Sequence, residues 1–243
     1  MVQNHANDHK TPELPGYLEQ SRGLVNSLVL VIPLLVLYEA ALFGSGFRIT
    51  NRFDFISRTI AQYGFRGLLV FNALLFVIAV CGVVALNRRR KFDPAVLPGV
   101  LVEGLAYALL LGVCVMLVLS ANGGADSAEQ PQNPVWLKVG LAVGAGVYEE
   151  LFFRLLLVGF LYAWLQHAVG WRKPPAAAFV LVLSSVLFSL SHFRIPSLAD
   201  FEMPLFAFRF IAGLALGGIF MVRGLGVAVY THAIYNVIVL LKT

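Results

Sequence analysis

Val147-Tyr148-Glu149-Glu150-Leu151-Phe152-Phe153-Arg154 decides how the chain is read. It sets two adjacent carboxylates and a guanidinium inside residues 135–165, a segment otherwise almost wholly apolar. On a helix Glu150 and Arg154 stand at i and i+4, so they share a face and can pair. Glu149 is turned about 100° away and meets a different neighbour. Each ionisable group costs roughly 2.5–3.5 kcal/mol at the centre of a membrane helix, so three in one stretch require partners elsewhere in the chain.

Lipid is the solvent that the composition demands. Of 243 residues, 59% are apolar and 13% charged, with a mean hydropathy of +0.80. A soluble domain carries about 25% charged residues, so this chain lacks the polar surface to cover itself in water. The net charge of +5 contains one basic run, Arg88-Arg89-Arg90-Lys91. That run reads as a cytoplasmic topology marker rather than a nucleic-acid site. With that run on the inside, Lys and Arg still divide almost evenly between the two sides, so the orientation is weakly determined. Cys81 and Cys114 fall in apolar segments and form neither a disulfide framework nor a metal motif.

The hydrophobic pattern predicts an all-α polytopic bundle with seven spanning helices, at 24–43, 67–86, 97–120, 136–165, 176–192, 205–222 and 225–241. Residues 24–243 read as a single transmembrane domain. Residues 1–23 read as a polar tail, disordered or interfacial, with no cleavable signal. Phe53, Ile56, Ile60 and Tyr63 recur at helical spacing between the first two spans, which suits an amphipathic helix in the interface. Glu39 and Glu103 lie near helix ends and read as snorkelling rather than catalytic groups.

Two further apolar helices carry polar groups of catalytic type. Phe188 and His192 are one turn apart in the fifth, as are His232 and Asn236 in the seventh. Depth is testable from the loops. Glu150 lies about 22 Å from Leu165, and His192 about 24 Å from Ala176, at 1.5 Å per residue. Measured from the turn at Arg223-Gly224, Asn236 lies about 18 Å along its helix and His232 about 12 Å. Glu149, Glu150, Arg154, His192, His232 and Asn236 are therefore expected to converge. Gly140, Gly144, Gly146, Gly213, Gly217 and Gly218 give small surfaces for close helix approach. Ser184, Ser185, Ser189 and Ser191 read as backbone-bonding serines rather than nucleophiles.

A Glu beside a His holds and activates water as a general base. A His and an Asn one turn apart donate to a developing oxyanion. These are parts for water attack on an amide. The set would also bind Zn²⁺ through His, His and Glu but does not require it, and the H-E-x-x-H arrangement is absent.

Glu149-Glu150-x-x-x-Arg154, Phe188-x-x-x-His192 and His232-x-x-x-Asn236 resemble the three ordered motifs of the CAAX prenyl protease and bacteriocin-processing family. These are Abi-type intramembrane glutamic endopeptidases related to Ras-converting enzyme. The resemblance covers roughly residues 135–243. It implies Glu149 as general base with His192, His232 and Asn236 as the oxyanion site, and Glu150 and Arg154 in support. It implies no required cofactor, a membrane-anchored protein or peptide as substrate, a lipid bilayer as surroundings and no nucleic-acid partner. The expected location is the cytoplasmic membrane of a bacterium. Two other readings compete: a catalytically silent immunity or scaffold protein, and an ion- or proton-coupled transporter, which buried Glu, Arg and His also mark.

Overall fold

The computed structural model describes residues 16–46, 94–121, 133–193 and 201–241, with scattered positions between 54 and 84. Most of the expected second span at 67–86 and of the interfacial segment 52–66, and the basic run at 88–91, lie outside the described residues. What is described is helical: a short α1 (Tyr17–Arg22), α2 (Leu24–Gly44), α3 (Val96–Ala121), α4 (Val135–Glu150), α5 (Leu161–His167), α6 (Lys173–Leu190), α7 (Met203–Arg223) and α8 (Leu225–Leu240). The protein is an all-α membrane bundle.

α2, the 96–117 part of α3, α6 and α7 are long and apolar enough to cross a membrane. At 1.5 Å per residue a 21-residue helix matches a hydrocarbon core of about 30 Å. α4 reaches that length through its continuation, because Leu151–Phe160 is π-helical and leads directly into α5. Composition predicts one uninterrupted α-helix over 136–165; the structure gives three helical segments on one axis instead. Large apolar side chains face outward, among them Val102, Leu110 and Leu117 at 60–70% exposure. In lipid that exposure costs nothing, since the tails are as apolar as the side chains.

α8 is the centre. Every residue from Leu225 to Ala233 is buried, and α2, α3, α4 and α7 pack around it. Its entry is fixed by Gly224, whose φ of 89° is a conformation that side-chain-bearing residues rarely adopt. A Cβ there would also stand 3.0 Å from the Arg22 Cα. Gly146 brings α4 against α8 so closely that a Cβ would lie 2.6 Å from the Ala233 backbone nitrogen. Of the six glycines expected to mediate close packing, Gly218 faces open space.

Residues 17–22 differ from the tail expected there. α1 folds onto the bundle end, with Gln20 and Ser21 buried. Tyr17 donates to Glu103 at 2.6 Å, and Arg223 donates to Glu103 at 2.8 Å and to Ser21 Oγ at 3.0 Å. Glu103 is thus a structural ion-pair partner that links α1, α3 and α7. The carboxylate oxygens of Glu39 are buried inside the bundle rather than reaching outward.

Candidate active site

Glu149 and Glu150 close the α-helical part of the fourth segment, and Arg154 sits in the π-helical turns after them. A π-turn widens the ladder to i→i+5 bonding, and such insertions recur at functional sites. Here the Phe153 carbonyl accepts a bond from Ser184 Oγ at 3.1 Å, which ties the widened stretch to α6. Ser185, Ser189 and Ser191 likewise donate to backbone carbonyls, at 2.7, 2.8 and 2.7 Å. All four serines are engaged as helix glue.

The two carboxylates divide as their helical angles require. Glu150 is fully buried between two partners, with Oε2 3.1 Å from Arg154 Nε and Oε1 2.7 Å from His232 Nδ1. Arg154 also donates to the Gly213 carbonyl at 3.3 Å and lies over the Phe188 ring, 4.7 Å from its centroid. The buried charge is met by Glu150 and by that ring, with Glu149 also in electrostatic reach. Glu149 points elsewhere. Its Oε2 is 3.7 Å from His192 Nε2 and 3.8 Å from His232 Nε2. Neither is a direct hydrogen bond.

The imidazoles are oriented through their Nδ1 atoms. A carboxylate accepts from His232 Nδ1, and the Phe188 carbonyl accepts from His192 Nδ1 at 2.8 Å. Each ring therefore turns Nε2 toward Glu149. His192 does not sit on the helix that the sequence suggests. α6 ends at Leu190, and His192 follows in a turn, its N–H donating to the Ser189 carbonyl. The turn leaves the ring half-exposed where a buried helical position would have enclosed it. Asn236 donates one amide hydrogen to the Ala142 carbonyl at 3.1 Å.

These groups border a cavity of about 470 Å³, lined by His192, His232, Asn236, Phe188 and apolar side chains of α3, α4, α7 and α8. Glu149 is set back behind the two imidazoles. The structure thus brings all six expected residues together. Among the described residues no three His, Cys, Asp or Glu side chains are grouped so as to hold a metal ion. A tetrahedral zinc site with bonds near 2.05 Å has ligand–ligand edges of about 3.3 Å, and the spacings at Glu149 are wider.

Four further residues contribute to the site: Phe188, Tyr38, Arg209 and Lys138. Phe188 lies edge-on to both imidazoles, with centroids 4.9 Å from His192 and 5.9 Å from His232, besides carrying Arg154. Tyr38 packs edge-on against Tyr148 at 5.3 Å and donates to the buried Asp54 at 2.9 Å, backing the Glu149 turn from α2. Arg209 and Lys138 line the cavity; from sequence they count only as topology charges.

No curated protein and no solved structure matches the chain. A family model does: residues 131–238 match the one described as type II CAAX prenyl endopeptidase Rce1-like. The match contains all six residues and ends within α8. Over residues 131–238 the chain is thus similar to the Rce1-like family of type II CAAX prenyl endopeptidases.

Proposed function

We propose that the protein is an intramembrane endopeptidase that hydrolyses a peptide bond in a membrane-anchored protein or peptide, with Glu149 as the base. The observation that carries this reading is the position of Glu149 Oε2, 3.7 and 3.8 Å from two Nε2 atoms that border the cavity. Polar atoms at that separation suit a shared water.

Water between Glu149 and His192 attacks the carbonyl carbon, with His192 Nε2 accepting one of its hydrogen bonds. Glu149 takes the proton that the water loses. The carbonyl oxygen becomes an oxyanion, held by the second amide hydrogen of Asn236 and by His232, whose Nε2 donates in the doubly protonated form. The C–N bond then breaks as Glu149 returns the proton to the leaving nitrogen. Glu150 and Arg154 touch no reacting atom; they fix the ring of His232. No metal is required for these steps. The proposed location is a bacterial cytoplasmic membrane.

The test is cleavage of membrane-anchored peptides by the purified protein in liposomes. Glu149→Gln and His192→Ala are each expected to lower turnover by roughly 10²–10⁴ while the protein stays folded. Turnover equal to wild type in both variants would sink the mechanism.

A further inference from the structure

The cavity has a charge as well as a shape. Its described lining holds Lys138 and Arg209 and no Asp or Glu. Neither cation makes an ion pair among the described residues. Arg209 is half-buried, with its guanidinium 5.0 Å from the Phe193 ring centroid and in electrostatic reach of Glu149 and Glu202. A guanidinium held on an aromatic face keeps its donor edge available, and in a water-poor cavity a bidentate partner gains most from it.

Each cation stands one turn before a carbonyl that anchors a side chain of the site. Lys138 stands one turn before Ala142, whose carbonyl anchors Asn236, and Arg209 stands one turn before Gly213, whose carbonyl anchors Arg154. α4 and α7 run in the same direction, since α6 returns between them, antiparallel to both. Both charges therefore lie on the N-terminal side of those carbonyls, roughly 6 Å along each helix. Arg209, Ala212 and Leu216 share one face of α7 and line the cavity together, so the cation continues an apolar wall.

We infer that Arg209, assisted by Lys138, reads a carboxylate on the substrate peptide, next to apolar residues that fill the cavity beside His192. This rests on the endopeptidase reading in taking the cavity as a peptide's seat. The carboxylate has two sources, the peptide's own C-terminus or an acidic side chain. Arg209 is a specificity-determining residue in this scheme and takes no part in bond cleavage.

The experiment measures both binding and cleavage of three apolar peptides of one sequence by the full chain in neutral-detergent micelles. One has a free C-terminus, one a C-terminal amide, and one an amide with Glu as the last residue. Either carboxylate is expected to bind wild type about tenfold more tightly than the plain amide. Preference for the first or the third peptide identifies the source. R209Q should bring the acid-to-amide ratio below about twofold, K138Q should reduce it partly, and R209K should retain part of it. The effect should fall on KM rather than kcat. An acid-to-amide ratio of one in wild type, or an unaltered ratio in R209Q, overturns the inference. So does binding of phosphatidylglycerol vesicles that depends on Arg209 in a protein with no peptide preference. Cleavage without carboxylate preference removes this inference alone. Preference in binding without cleavage supports it and removes the endopeptidase reading.

Discussion

His232 Nδ1 and Glu150 Oε1 are 2.7 Å apart, and the other oxygen of that carboxylate stands 3.1 Å from Arg154 Nε. One fully buried group thus sets the direction of an imidazole on α8 and neutralises a guanidinium on its own segment. Glu150→Gln leaves Arg154 charged and uncompensated, which costs about 3–5 kcal/mol. The expected result is a marked fall in thermal midpoint in detergent. The double variant Glu150→Gln, Arg154→Gln should recover part of the loss, and additive effects would show the two are uncoupled.

The oxyanion proposal has its own signature. Asn236→Ala removes a donor whose value is realised in the transition state, so kcat should drop by roughly 10²–10³ with KM little changed. Steady-state kinetics on one anchored peptide decides it. A rise in KM at constant kcat would move Asn236 from transition-state stabilisation to substrate binding.

Close packing of α4 on α8 makes a steric prediction. Gly146→Ala places a Cβ 2.6 Å from the Ala233 nitrogen, and the helices must separate to admit it. Overpacking of this kind costs about 1–3 kcal/mol, read as a lower thermal midpoint. Because the same contact sets Glu149 against His232, turnover should fall with it. Gly218→Ala, at open space, is the control and should change neither.

Alkaline pH probes the bundle end. Burial, followed by the hydrogen bond to the Glu103 carboxylate, pushes the Tyr17 hydroxyl up to about 12 from its usual 10. The folded state therefore holds the proton more tightly than the unfolded state. The stability that Tyr17 contributes is full below pH 10 and is lost as pH rises from 10 to 12. Thermal midpoints of wild type should drop across that window more steeply than those of Tyr17→Phe. Parallel curves would detach Tyr17 from the effect.

Chelation addresses the donor set directly. With Glu149 as base and no metal needed, turnover should survive prolonged treatment with 1,10-phenanthroline. Loss of activity restored by Zn²⁺ would assign Glu149, His192 and His232 as ligands instead.

The convergence of the six side chains was legible because an ionisable group in an apolar helix stands out, and because helix rise converts sequence distance into depth. Glu149, Glu150, Arg154, His192, His232 and Asn236 follow from that arithmetic and from the ordered motifs. The π-helical turns did not, since Leu151–Phe160 is as apolar as any α-helical membrane segment and the extra residue per turn leaves no compositional mark. The pairing of Glu103 with Arg223 was equally hidden, because the partners are 120 positions apart and neither declares the other. Arg209 was miscounted for a related reason: a charge near a helix start looks like a topology signal until its neighbours are known.

The π-helical stretch acts as a phase joint in a single rod. Because its turns are wider than α turns, the segment before Glu150 and the segment after Phe160 hold independent azimuths. The first is locked by α2 and α8, which hold Glu149 beside the two imidazoles, and the second packs with α6. Removing one residue between 155 and 159 would rotate the distal half by about 100° and leave Glu149 where it is. The joint separates tuning of the far end from the geometry of the reacting groups, so sequence change there need not pass through the site.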